Sequence, residues 1–180
     1  MKLKSSLTRF SVLTFHLIFF LLISLPVAHA QIEIKNQIPK KVPLKIEFKN
    51  YDSERWVHDL EIVVTNTSTK PIYYLFLNLG LDVKADNGSN YGFPFFFGNG
   101  NLYGSIDTKA GPDDEFIAPG EVYTFRIEAK FAEAWDYRKT NSLTAPFYVE
   151  PRNAEFELGW ISFGDGTGFQ GGGTPFKKKR

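Results

Sequence analysis

The sequence predicts an all-β chain, folded as an antiparallel sandwich with one short helix. Three observations carry this. Apolar and polar residues alternate with period two in several separate segments, clusters of Asn, Ser, Thr, Pro and Gly divide those segments, and only one short stretch has helical character. Neither βαβ spacing nor an internal repeat is visible. The chain has 180 residues, a length that points to one domain.

Residues 1–30 read as a signal peptide rather than as part of the fold. Lys2, Lys4 and Arg9 form a cationic start, an apolar run extends from Phe10 to Leu25, and Pro26 precedes the small-x-small triplet Ala28-His29-Ala30. Cleavage is expected before Gln31. The run is shorter than a spanning helix of about 20 apolar residues, so no integral membrane span is expected after cleavage. The expected location is periplasmic or extracellular. The leader removes three of the 21 basic residues and none of the 20 acidic ones, which leaves a slightly acidic chain. That balance gives no support to nucleic-acid binding.

The domain is expected over 31–170. Leu44 to Lys49 alternates apolar with charged residues, as a strand with one wet face does. Leu60, Ile62 and Val64 share one side of the next strand, which Asn66-Thr67-Ser68-Thr69-Lys70-Pro71 ends as a polar turn. From Ile72, Tyr73, Leu75, Leu77, Leu79, Leu81 and Val83 fall on one face of a long, central strand. Pro119-Gly120 turns the chain into a strand over 121–130, with Tyr123, Phe125, Ile127 and Ala129 inward. Residues 131–139 form the helical stretch. Phe156, Leu158 and Trp160 alternate before Ile161 and Phe163 take over, and the parity change at Gly159 predicts a β-bulge. Residues 171–180 are expected to be a flexible, Gly-rich basic tail.

The segments Leu60–Ile72 and Ile117–Phe125 resemble bacterial exported immunoglobulin-like domains, in which a strand ends in an Asn-x-Ser turn and a later Pro-Gly turn opens another. The resemblance implies an immunoglobulin-like antiparallel β-sandwich that adheres, scaffolds or binds partners. Phe163-Gly164-Asp165-Gly166-Thr167 is similar to a turn of polycystic-kidney-disease-type repeats, but stands near the end of this sequence instead of in mid-domain. Asp165-Gly166 is therefore read as a hairpin or strand-ending turn.

The residues narrow the chemistry more than they name it. No cysteine is present, which excludes disulfides, thiolate metal sites and a cysteine nucleophile. After the leader, His58 is the only histidine, too few for the two or three that catalytic zinc usually takes. Carboxylates gather at Asp82 and Asp86, at Asp107, Asp113, Asp114 and Glu115, and at Asp165, without EF-hand spacing. No catalytic residue, metal ligand or cofactor is assigned, and the protein is expected not to be an enzyme. Asn66-Thr67-Ser68 and Asn87-Gly88-Ser89 match the N-glycosylation pattern, which matters only in a eukaryotic secretory route.

Residues 85–118 are aromatic-rich and long for a loop. They are either a recognition surface or an added strand that buries Phe93, Phe95, Phe96 and Phe97. The expected function is an exported, non-enzymatic binding or scaffold module of the cell envelope, with an envelope protein or a polysaccharide as partner. The alternative is a carbohydrate-binding sandwich using Tyr91, Phe95, Phe96, Tyr103 and Trp135.

Overall fold

The computed structural model describes residues 32–85, 88–141 and 150–177. The expected leader, Asp86 and Asn87, and the last three basic residues lie outside these. The chain is mostly antiparallel β-structure, built as two facing sheets. In order it forms β1 (Glu33–Asn36), β2 (Leu44–Lys49), α1 (Trp56–Asp59), β3 (Glu61–Asn66), β4 (Tyr74–Lys84), β5 (Asn90–Gly98), β6 (Val122–Arg126), α2 (Ala129–Asn141), β7 (Asn153–Ser162), β8 (Thr167–Gln170) and β9 (Thr174–Lys177).

The larger sheet has the order β5-β4-β7-β8-β9, and β1 pairs in parallel with the first half of β7. β4 is central because its odd positions are all large and apolar. Leu75, Leu77, Leu79, Leu81 and Val83 are buried beneath it, and its even positions face outward. The smaller sheet, β2-β3-β6, supplies the opposite layer with Ile62 and Val64 buried on β3 and Phe125 on β6. Edge-on ring pairs join the layers, Phe48 to Phe156 at 5.1 Å and Phe95 to Phe125 at 6.0 Å between centroids.

The three-stranded sheet is narrower than its partner, and α2 fills the remaining space. Ala132 and Trp135, three positions apart and hence on one helical face, are buried. The Trp135 ring meets Trp56 of α1 and Phe93 of β5. His58 of α1 ties the two helices through a 2.8 Å Nε2–Asp136 Oδ2 contact. Among the described residues no helix is long and apolar enough to cross a membrane.

The two turns that carry the family resemblance meet each other. Asn66 is fully buried. Its Nδ2 donates to the carbonyls of Lys70 and Ile117, and its Oδ1 accepts from the N–H and hydroxyl of Ser68. Its backbone exchanges hydrogen bonds with Gly120 and Glu121, just beyond Pro119. Asn66 is thus an internal staple of the sandwich, with its amide enclosed rather than presented to solvent.

Several expectations change in the structure. Tyr73 precedes β4 and packs with the outer cluster of Tyr74, Leu102 and Trp160 instead of the inner face. The strand expected over 121–130 ends at Arg126, and Ala129 already begins α2. The Gly159 bulge is present, since Phe76 opposes Trp160 while Leu77 opposes Leu158. Its extra residue turns Trp160 to the outer face one position earlier than the alternation suggested. A Cβ at Gly159 would stand 2.2 Å from the Phe76 ring, so only glycine lets that ring lie on the strand.

Residues 171–177 are not a free tail. Gly171–Gly173 form a 3-10 turn and β9 returns along β8, where the Phe176 ring stacks on Trp160 at 4.4 Å. Ring burial and four paired positions outweigh the flexibility of the glycines. The sandwich therefore extends to residue 177 instead of ending at 170. Asp165-Gly166 forms the β7–β8 hairpin turn, with Gly166 at φ 82° and Asp165 accepting from the Thr167 N–H.

Candidate functional site

The outward face of the six-stranded sheet carries two adjoining features, a plate of rings and a polar groove. Cross-strand register orders them in rows. Phe96, Phe76 and Trp160 lie side by side on β5, β4 and β7. The next row has Pro94, Asn78 and Glu157, and the one after it Gly92, Gly80 and Glu155. Pro94 is tolerated because β5 is an edge strand, with β4 as its only partner among the described residues.

Rings support each other across the first row. Phe76 and Phe96 are stacked at 4.9 Å with 13° between planes. Tyr103, carried on the loop after β5, stands 5.8 Å from Phe76 and 5.9 Å from Trp160. Trp160 is enclosed by these neighbours. Phe96 and Tyr103 remain about half open, at 51% and 54% exposure. Burial pushes the Tyr74 phenol above its usual range, with Tyr103 adding to the effect.

The groove has a volume of about 490 Å³, within the usual range for small-ligand sites of about 300–1,000 Å³. Asn78, Asp82, Asn90, Asn153, Glu155 and Glu157 supply its polar walls, and Gly80 and Gly92 its floor. The two glycines differ in kind. A Cβ at Gly92 would come within 2.9 Å of the Leu79 carbonyl, so packing requires glycine there. At Gly80 a Cβ would meet nothing nearer than 3.8 Å, and its φ is not in the left-handed region. Glycine weakens a strand interior, and this one stands where the β4–β5 register shifts, between Gly80 and Lys84. Its effect is to keep the groove open.

Some of the walls are already committed. Asp82 accepts from the backbone N–H groups of Arg152 and Asn153 and from Asn153 Nδ2. Asn90 Oδ1 accepts from Lys84 Nζ at 2.6 Å. Glu155 has one long contact, 3.5 Å from Gln37 Nε2. Asn78 and Glu157 make no side-chain hydrogen bond to the described residues. They are available to a ligand.

The five ring residues singled out in the sequence do not form one surface. Phe95 and Trp135 are core residues, at 3% and 1% exposure, and present no face to a ligand. β5 alternation sends Phe93, Phe95 and Phe97 inward and Phe96 outward, so the strand both buries rings and displays one. Tyr91 lines the groove beside the plate, half-buried against Trp135 at 5.1 Å, and burial raises its phenol pKa against the opposing pull of Arg138. Only Phe96 and Tyr103 share the outer plate. Asn78, Gly80, Glu155 and Glu157 were not anticipated. Their signal was present, since an Asn and a Gly on the even positions of a Leu-rich strand mark its open face.

Two of the clustered carboxylates are engaged within the fold. Asp114 accepts from Asn99 Nδ2 and the Gly111 N–H, and Asp165 binds Lys70 Nζ at 2.6 Å. Among the described residues no group of three or more His, Asp or Glu side chains is placed to hold a metal ion. A second polar pocket of about 410 Å³ lies beside Ser53, His58, Asp59 and Arg126. There His58 is engaged by Asp136 and the Ser53 hydroxyl donates to Asp59 at 2.7 Å, so the two form separate pairs.

Comparison of the chain with protein-family models, curated proteins and solved structures gives no match.

Proposed function

We propose that this protein is an exported, non-enzymatic binding module of the cell envelope, and that it engages its ligand on the outward face of the six-stranded sheet. The observation that carries this reading is Gly80. It stands at the β4–β5 register shift, neither its backbone angle nor a close contact demands a glycine, and it floors a groove whose walls include Asn78 and Glu157, which make no side-chain hydrogen bond among the described residues. A close approach of another molecule is a recurrent reason for glycine within a strand. The tripartite leader supports export, and the resemblance to exported immunoglobulin-like domains fits a binding role.

The test is co-sedimentation of the purified protein with an envelope fraction of the producing cells, set beside its Gly80→Val variant. Valine suits an exposed strand position better than glycine, so the variant is expected to melt no lower than the parent. The expected result is that the parent pellets with the envelope and the variant stays in solution. Equal pelleting of both, or none of the parent, would overturn the reading.

A further inference from the structure

We infer that the ligand of this face is an uncharged polysaccharide chain, lying with its sugar rings against Phe96 and its hydroxyls on Asn78, Glu155 and Glu157. The inference rests on the binding face proposed above and adds the chemistry of what it holds.

A sugar hydroxyl both donates and accepts, and it needs partners of both kinds. Asn78 offers an amide with two donors and an acceptor, all free, and Glu157 a free carboxylate. Hydroxyl donors form short, charge-assisted bonds to such carboxylates. The carbon faces of sugar rings are apolar and flat, and Phe96, half exposed and steadied by its stack on Phe76, offers a matching surface one row away. Successive rows are two residues apart along a strand, about 7 Å at the usual rise. The face therefore presents a ring and then two tiers of hydrogen-bonding groups, a linear order suited to a chain of sugars.

Charge and backbone remove the main competitors. Asp82, Glu155 and Glu157 line the groove, and of the cations beside it Lys84 is engaged with Asn90 and Arg138 with the Lys84 carbonyl and the Tyr91 ring. A chain of uronic or sulfated sugars would meet like charge there, which is costly at a recognition surface. A polypeptide ordinarily adds to a sheet edge through main-chain hydrogen bonds. Here the groove opens on the face of the sheet rather than along its edge, and β4 is paired to β7 through Leu81 and to β5 as far as Gly80, where that register shifts.

Affinity electrophoresis tests the inference, with gels containing hydroxyethylcellulose, soluble β-1,3-glucan, arabinoxylan or galactomannan beside gels containing polygalacturonate or alginate. At least one neutral polymer is expected to retard the protein, and neither acidic polymer is. Phe96→Ala and Asn78→Ala are each expected to weaken retardation about tenfold, with melting curves confirming that both fold. Glu155→Gln combined with Glu157→Gln removes two charge-assisted acceptors and is expected to weaken retardation by neutral polymers about tenfold, while the loss of like charge admits polygalacturonate. Failure of every neutral polymer overturns the inference, as does equal retardation by acidic ones or displacement by oligolysine. Envelope binding that remains sensitive to Gly80→Val while every neutral polymer fails would leave the face standing and remove the saccharide.

Discussion

Asn66 shows how much structure one side chain can organise. It uses both amide hydrogens and its carbonyl oxygen inside the sandwich, with no exposed surface. Asn66→Ala removes these side-chain bonds from the interior, although the Ile117 carbonyl keeps the Ile72 N–H and the Lys70 carbonyl keeps the Ser68 hydroxyl. It is expected to cost about 2–3 kcal/mol, read by urea denaturation. Its neighbour in sequence, Lys70, reaches across to the β7–β8 turn and binds Asp165. Burial opposes ionisation of Asp165, but hydrogen bonds from Lys70 and Thr167 outweigh it and hold the carboxyl below the usual carboxylate range. A carboxyl whose folded pKa is depressed adds stability above its unfolded pKa and loses it as pH falls through the folded value. Asp165→Asn is therefore expected to flatten the acid limb of the stability–pH curve and leave the slope at neutral pH unchanged. An unaltered acid limb would show that the Lys70 pair contributes nothing.

Elements were legible in the sequence where one physical signal dominated. Period-two alternation marks β2, β3 and the inner face of β4, and the slip at Gly159 marks the bulge of β7. The 13-residue helix α2 was visible in its middle but not at its start, because Ala129 fits the preceding strand's alternation as well as a helix. β1 was missed: four residues, Glu33 to Asn36, are too few to show a period, and only parallel pairing with β7 makes them a strand. β9 was missed because three glycines before it suggest flexibility, whereas the stack of Phe176 on Trp160 is a contact between distant residues that no local pattern carries. Deleting residues 174–180 is expected to cost about 1–2 kcal/mol from the apolar area it uncovers and to change the near-ultraviolet dichroism of Trp160. Deleting only 178–180 should alter neither. If both deletions behave alike, β9 is not part of the packed domain.

At the scale of the whole molecule, the two sides of the sandwich differ in character. The inner faces meet through aliphatic and edge-on aromatic contacts, and α2 completes the layer that the narrower sheet cannot cover. The outer face of the smaller sheet carries charges in alternation, with Lys45 paired to Glu47. The outer face of the larger sheet instead carries stacked rings beside a glycine-floored groove. The candidate site was only partly legible in the sequence, because alternation tells which residues share a face but not which rows stand side by side. Phe76 beside Phe96, and Gly80 beside Gly92, follow from strand register alone.

The placement of recognition on that face is most directly tested by amide chemical-shift mapping of the isotope-labelled protein as a soluble envelope polymer extract is added. The expected shifts cluster at residues 76–82, 90–96 and 153–160. Shifts confined to β2, β3 and β6, or to the helices, would contradict it.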